Sequence, residues 1–302
     1  MFFRNLTLFR FSPDLLRTSL ESLFSRLHDH ELKPLGPLEL STRGFVSPFG
    51  RGHEALSLRS GDCLLLTLGG EDKILPVSVV NEALSAKIDA IREQEARSPG
   101  PRERQRLKDE VLTDLLPRAF AKPSRVPAYL DLAGGWLVVD SSSRKNAEAV
   151  VVAIREALGS FPVYPATAYG SPRVVLTGWI AGEDLPSGFA LGDEFELIEP
   201  GDGGAIGKFR RQEADTEEIE AHLQAGKQCS RLALIFHDRL SFVLGDDLVI
   251  RKLRFLDAAT DDLDNDEIQR REDELSAIFT LMTGELRLLL GLLDTEFCLN
   301  TP

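Results

Sequence analysis

The chain has 302 residues, 43% hydrophobic and 27% charged, a composition typical of a folded globular protein and a length that suits two or three subdomains, since single cores stop growing at roughly 250–300 residues. No run reaches the roughly 18 uncharged apolar residues of a membrane span. Three widely spaced cysteines, Cys63, Cys229 and Cys298, point to neither disulfides nor zinc, and MFFRNLTLFRF at the N-terminus lacks a signal peptide's apolar core, so the expectation is a soluble cytoplasmic protein without metal, cofactor or membrane.

In chain order, Phe2–Phe11 alternates apolar and polar and predicts a strand, and Ser12-Pro13 followed by Leu15, Leu16, Leu20, Leu23 and Leu27 predicts a helix over Asp14–Leu27. Gly36-Pro37, Gly44 and Pro48–Gly52 mark a loop-rich stretch. After it, Cys63–Leu68 and Lys73–Val77 read as a hairpin turning at Gly69-Gly70-Glu71-Asp72. Ser98-Pro99-Gly100-Pro101 separates a helix over Val79–Arg97 from one that runs from Arg102 to Pro117. In the second helix Leu107, Val111, Leu112 and Leu115 share one face and Arg104 and Lys108 another, exposed one. Strands at Val126–Leu132 and Trp136–Asp140 lead into a helix over Ser143–Leu158, then strand-like runs at Arg173–Ile180 and Glu194–Glu199. A turn at Gly201–Gly204, a short basic strand over Ile206–Gln212 and a helix over Glu217–Ala225 follow. Strands at Arg231–Phe236, Leu240–Leu244 and Leu248–Phe255 precede an acidic run, Asp257–Asp273, and a leucine-rich C-terminal helix. Strands grouped as hairpins predict an α+β fold of antiparallel sheets with helices, divided into 1–78, 79–125 and 126–302.

No catalytic constellation emerges, which favours a binder over an enzyme. The segment GDGGAIGK (Gly201–Lys208) misses the phosphate-loop spacing and is followed by Phe209 rather than Ser or Thr, so it reads as a hairpin turn. His28, His30, His53, His222 and His237 form no ligand or nucleophile set. Asp262, Asp264 and Asp266 alternate as in a calcium loop, but Glu267 stands where its glycine belongs; an acidic linker is the better reading.

The net charge of −13 argues against a nucleic-acid partner. Its distribution weakens that objection, because Leu256–Pro302 alone holds twelve carboxylates against three arginines. Residues 98–125 carry seven cations against four carboxylates, ending in Arg118-Ala-Phe120-Ala-Lys122-Pro-Ser-Arg125 between two prolines. That segment suits a protruding loop whose cations touch phosphates while Phe120 presses a base step, or else Phe120 plugs a local core. A second patch, Lys208, Arg210, Arg211 and Gln212, puts Lys208, Arg210 and Gln212 on one side of a strand, as phosphate contacts or as the charges of a protected edge.

The sequence also resembles the RdgC family along nearly its whole length. The resemblance is carried by FFRN (Phe2–Asn5), GPLELS (Gly36–Ser41), KILP (Lys73–Pro76), LKDEVLTDLLPRAF (Leu107–Phe120), LVVDSSS (Leu137–Ser143), RQEADTEEIEAHLQAGKQ (Arg211–Gln228), RKLRFLD (Arg251–Asp257) and LMTGEL (Leu281–Leu286). It implies a ring-shaped homodimer, each subunit half of a ring whose basic wall encloses duplex DNA without reading sequence, associated with the nucleoid and limiting the access of the RecA recombinase; single-stranded DNA is a further partner. It implies Arg118, Phe120, Lys122 and Arg125, with Lys208, Arg210, Arg211 and Gln212, as DNA contacts. Phe2 and Phe45 stand where the family is expected to carry tryptophan, and Arg211 where it is expected to carry lysine. The rival readings are a protein-interaction module that works through its acidic C-terminal face, and a hydrolase or transferase assembled from scattered residues.

Overall fold

A computed structural model describes residues 2–14, 20–201, 203–214, 216–260 and 271–300. The strands are β1 (Leu6–Phe11), β2 (Ser41–Phe45), β3 (Ser57–Ser60), β4 (Cys63–Ile74), β5 (Phe120–Asp131), β6 (Trp136–Asp140), β7 (Val163–Pro165), β8 (Phe189–Ile198), β9 (Ile206–Arg210), β10 (Gln228–Phe236), β11 (Leu240–Gly245) and β12 (Ile250–Phe255). The helices are α1 (Leu20–Leu27), α2 (Val77–Glu95), α3 (Pro101–Leu115), α4 (Arg144–Leu158), α5 (Pro172–Ile180), α6 (Glu217–Gln224), α7 (Asp257–Thr260) and α8 (Arg271–Phe297). The fold is α+β. One antiparallel sheet runs β2-β4-β5-β6-β1-β12-β11-β10-β8-β9, with β3 beside β4 and β7 beside β1.

The sheet has a narrow waist. β1 and β12 share one register pair, Leu6 opposite Ile250, whereas β4 and β5 pair over all twelve positions from Cys63–Asp131 to Ile74–Phe120. Apolar alternation gives the N-terminal half two buried faces. Leu64, Leu66, Leu68, Leu130, Leu137 and Val139 pack under α1 and α4, while Cys63, Leu65, Tyr129, Trp136 and Val138 turn the other way into a second core. That second core is continuous with the inner face of β8–β12 (Phe195, Leu232, Leu234, Phe242, Leu244, Ile250, Leu253) and is filled by α8.

α8 therefore belongs to both halves. Phe279, Met282, Leu286, Leu289, Leu290, Leu293 and Phe297 are all buried, and Phe279 meets Tyr129 edge-on with ring centroids 6.0 Å apart. Its charged side chains tie the same elements: Arg287 donates to Asp131 (2.9 and 2.7 Å), Arg239 donates to Glu285 (2.7 Å), and Arg10 pairs with Asp294 while its guanidinium lies over Trp136. By length and mean hydropathy this helix is also long and apolar enough to cross a bilayer; here its apolar side fills the shared core.

Four sequence expectations are corrected. Cys63–Val77 is no hairpin: Gly69 and Gly70 lie inside the continuous strand β4, neither with positive φ, and they are glycines because a Cβ would come within 2.5 Å of Val46 and 2.7 Å of Arg43 respectively. Residues 173–180 form helix α5, started by Pro172 in its first turn and burying Leu176, Trp179 and Ile180 at helical spacing, a period that outweighs the β-branched run. The stretch read as a protruding loop at residues 118–125 is a 3-10 turn ending at Arg118 followed by the start of β5 at Phe120; Pro123 and Pro127 fit because β6 joins only from Ala128 onward, leaving their missing N–H groups on the unpaired side. The loop-rich stretch contains β2, opposite Leu68–Asp72 of β4. The predicted helix Asp14–Leu27 is seen over Leu20–Leu27; residues 15–19 lie outside the described residues, as do Asp262, Asp264, Asp266 and Glu267.

Because α8 serves both halves, loosening it is expected to loosen both. Leu286→Ala should cost about 2–5 kcal/mol. It should lower by the same amount the urea midpoint read from Trp136 (in Trp179→Phe) and from Trp179 (in Trp136→Phe); midpoints that separate would mean that the halves unfold independently.

Candidate nucleic-acid interface

Helices cover the β8–β12 half-sheet on one side only among the described residues. Along each strand the residues alternate with the inner core: Ile206, Lys208 and Arg210 on β9, Glu194 and Glu196 on β8, Arg231, Ala233 and Ile235 on β10, Ser241 and Val243 on β11 face outward. β12 adds more cations than a regular strand could. The sequence Ile-Arg-Lys-Leu-Arg-Phe (250–255) has two adjacent cations, and strict alternation would bury one of them. The register shifts by a residue between Ser241 and Val243, with Lys252 in the left-handed region (φ 53°), so that Ile250 and Leu253 point inward while Arg251, Lys252 and Arg254 all reach the outer side. Gly245 lets Arg251 cross its strand: a Cβ there would lie 2.5 Å from the guanidinium.

The result is an open groove of about 690 Å³ with a floor of small residues, Gly192, Ala233 and Ser241, and with Arg210, Arg211, Lys252 and Arg254 along its walls. Lys208, Arg231 and Arg251 line its continuation of about 100 Å³. Four carboxylates, Asp193, Glu194, Glu196 and Glu213, line the groove and its continuation, and two of them pair with its cations. Glu196 sits 3.3 Å from Lys208 and 3.7 Å from Arg231, and Glu194 sits 2.6 Å from Lys252 and 3.6 Å from Arg210. Burial pushes the Glu196 carboxyl up, but the Ser230 hydroxyl that donates to it at 2.8 Å, with Arg231 and Lys208, outweighs that and holds it below its ordinary value. Arg251 pairs with Asp247 (2.5 Å).

Of the sequence-selected residues, Lys208 and Arg210 lie in this groove side by side, as the period of two predicts. Arg211 and Gln212 also line it, but Gln212 does not continue the row of Lys208 and Arg210: β9 ends at Arg210, Arg211 turns into the left-handed region (φ 55°), and the Gln212 side chain donates to Glu218 at 3.3 Å. Arg118, Phe120, Lys122 and Arg125 are elsewhere. Six strands separate β5 from β9, roughly 34 Å along the sheet. Phe120 is 83% exposed, which removes the core reading for this side chain, and its register partner Ile74 is exposed as well. Lys122 is opposite Asp72 and lines a cavity of about 220 Å³ with Arg43 and Asn146. Arg125, on the other face of the strand, donates to the Ser47 carbonyl, with burial and then Arg51 pulling its pKa down. Sequence reasoning missed Arg231, Arg251, Lys252 and Arg254. The doubled cation inside an otherwise alternating run was their one signal, and it marks a bulge.

Other chemistry is less developed. Burial, with Asp131 next, pushes the Cys63 thiol up to about 11, and burial pushes Cys229 to about 12, so both are protonated at neutral pH. Among the described residues no three His, Cys, Asp or Glu gather as a metal site. GDGGAIGK joins β8 to β9. On α8 the acidic face is partly consumed, because Glu285 and Asp294 are paired inward.

The profile of a family described as "Putative exonuclease, RdgC" matches residues 1–298. The chain is 54% identical to the recombination-associated protein RdgC of Xanthomonas oryzae pv. oryzae (strain MAFF 311018) and to that of Xanthomonas campestris pv. campestris (strain B100), and 52% identical to that of Stenotrophomonas maltophilia (strain R551-3), in each case over 99% of both chains. The chain belongs to the RdgC family. Both expected tryptophan positions fit this family fold with phenylalanine: Phe45 is fully buried, and Phe2 stacks on Phe255 at 4.3 Å. The two names attached to the RdgC family differ in what they assert, one an exonuclease and the other a role in recombination.

The lowered Glu196 titration makes a pH prediction. A carboxyl that titrates lower when folded than when unfolded stabilises the fold above its unfolded pKa, and that contribution is lost as pH falls through the folded value. Glu196→Gln should melt below the unsubstituted protein near pH 7 and converge with it by about pH 3; a constant gap in melting temperature across that range would show that the charge is not what matters.

Proposed function

We propose that this protein holds duplex DNA against the outer face of β8–β12, without reading its sequence and without catalysing a reaction on it, as a homodimer acting in recombination. One observation supports it most: a chain of net charge −13 gathers Lys208, Arg210, Arg211, Arg231, Arg251, Lys252 and Arg254 on one uncovered sheet face. Long cations on a floor of small side chains suit phosphates, which carry most non-specific affinity, and offer few fixed forks for base edges. Acid elsewhere on the surface focuses the field into the groove.

The second basic patch contributes differently. The exposed pair Phe120 and Ile74, with Lys122 on the same face of β5 and Arg118 two residues before Phe120, has the apolar centre and charged rim of a contact between subunits. Two subunits joined there, and again elsewhere, close a ring whose inner wall is the cationic face, in keeping with the RdgC resemblance. Topology then retains the duplex when individual contacts are weak. Occupying DNA in this way at nucleoid sites, on duplex and on adjoining single strands, limits RecA by exclusion.

Fluorescence anisotropy with two unrelated duplexes across several salt concentrations tests the first part. Similar affinities that fall steeply with salt are expected, and Lys208→Ala/Arg210→Ala/Arg211→Ala should weaken both duplexes alike and reduce the slope of log K against log salt by roughly 0.9 for each phosphate no longer neutralised. No binding at low salt would sink the reading.

For the contact between subunits, Phe120→Asp/Ile74→Asp should shift sedimentation toward monomer while leaving stability within about 0.5 kcal/mol, as for surface positions. An unchanged dimer places the contact elsewhere. The family description favours a second reading, exonuclease. End-labelled linear duplex incubated with the protein and magnesium or manganese should remain intact; steady release of nucleotides would make the groove a substrate channel.

A further inference from the structure

Glu194 and Glu196 are out of place on a surface that holds DNA. Both stand on β8, between β9 and β10, facing the groove, and between them they engage four of its cations from three other strands: Lys208 and Arg210 of β9, Arg231 of β10 and Lys252 of β12. The carboxylates lie low, with the Glu194 side chain 29% and the Glu196 side chain 13% exposed, while their cations are 44–71% exposed and extend over them toward solvent. A merely solvated sheet face would be served by neutral polar residues at both positions.

We propose that Glu194 and Glu196 act as resident stand-ins for phosphate: in the free protein they occupy the cations that backbone phosphates take over in the bound one. This deepens the DNA reading and rests on it. Binding is then an exchange of one anion for another. Each exchange neutralises a phosphate but uncovers a carboxylate that remains beneath the duplex, repels it and retains part of the cation atmosphere that the DNA would otherwise release. Affinity is lower, and less salt-dependent, than the number of cations implies. Arg211 and Arg254, which have no carboxylate partner among the described residues, supply first contacts that need no exchange. A protein that surrounds DNA gains from such weak contacts, because they let it move along the duplex while remaining on it.

The test measures duplex affinity at several salt concentrations for Glu194→Gln, Glu196→Gln and the double variant, beside Lys208→Ala/Arg210→Ala and the control Glu148→Gln. Glu148, paired with Arg144 on α4, removes one negative charge far from the groove. The expected result is roughly tenfold tighter binding by the double variant at low salt, a slope steeper by about one to two units, intermediate singles and an unchanged control. Glu194→Gln, whose side chain accepts no buried hydroxyl, keeps the test open if Glu196→Gln folds poorly. Unchanged or weaker binding by the glutamine variants, while the Lys208/Arg210 variant still loses affinity, overturns the proposal and leaves the DNA reading standing. An equal gain in Glu148→Gln also overturns it, since net charge alone would then be acting. If neither the glutamine nor the alanine variants differ from the unsubstituted protein, the groove is not the DNA site and both readings fail.

Discussion

The shared burial of α8 is the constraint on which the molecule depends. Two half-sheets that meet through one register pair would swing about β1 and β12 if nothing else joined them. α8 prevents this by filling one core that both halves line, from Tyr129 and Trp136 on one side to Phe242 and Leu253 on the other. Its ion pairs reach β5, the β10–β11 turn and β1 through Asp131, Arg239 and Arg10. Asp131, nearly buried, also accepts from the Ala133 and Gly134 N–H groups, so the turn after β5 and the helix are fixed by one carboxylate.

Placing α8 on the inner side settles what the outer side can be. With α5, α6 and α8 all packed on one face of β8–β12, the other is left to solvent among the described residues, and its outward positions carry cations, the carboxylates Glu194 and Glu196 that pair with them, and small or aliphatic side chains. The bulge at Lys252 is the local device that raises the cation count without burying a charge. The fold thereby separates its charges: Asp131, Glu285 and Asp294 are turned inward as partners of arginines, and much of the remaining acid belongs to the segment after Leu256. A chain with a large negative total can present a positive groove because opposite charges more than about 8–10 Å apart across solvent scarcely cancel.

Much of the local structure was legible because it is written in short periods. The apolar face of α3, with Leu107 and Val111 buried, the strands from β10 to β12 and the hairpin at Gly201–Gly204 follow from spacing that involves neighbours in sequence. Gly69-Gly70 misled for the opposite reason: those glycines answer to Arg43 of β2 and to Val46 just beyond its end. The run from Arg173 to Ile180 reads as strand-like, yet Leu176, Trp179 and Ile180 recur at helical spacing and are buried together in α5. In the groove, Lys208 and Arg210 could be selected as a basic strand, but Arg231, Arg251, Lys252 and Arg254 could not, because they become neighbours of β9 only through β8 and β10.

By itself the sequence determined the α+β class, the family through the order of its motifs, and the two places where cations collect along the chain. These are properties of local pattern, set by which side chains recur every second or every third to fourth position. Tertiary structure alone decided that those two places lie six strands apart, that Phe120 is exposed beside Ile74, and that Glu194 and Glu196 stand among the cations. All three follow from strand pairing and from the side on which α8 packs, contacts between residues that are often more than a hundred positions apart and that no local period encodes.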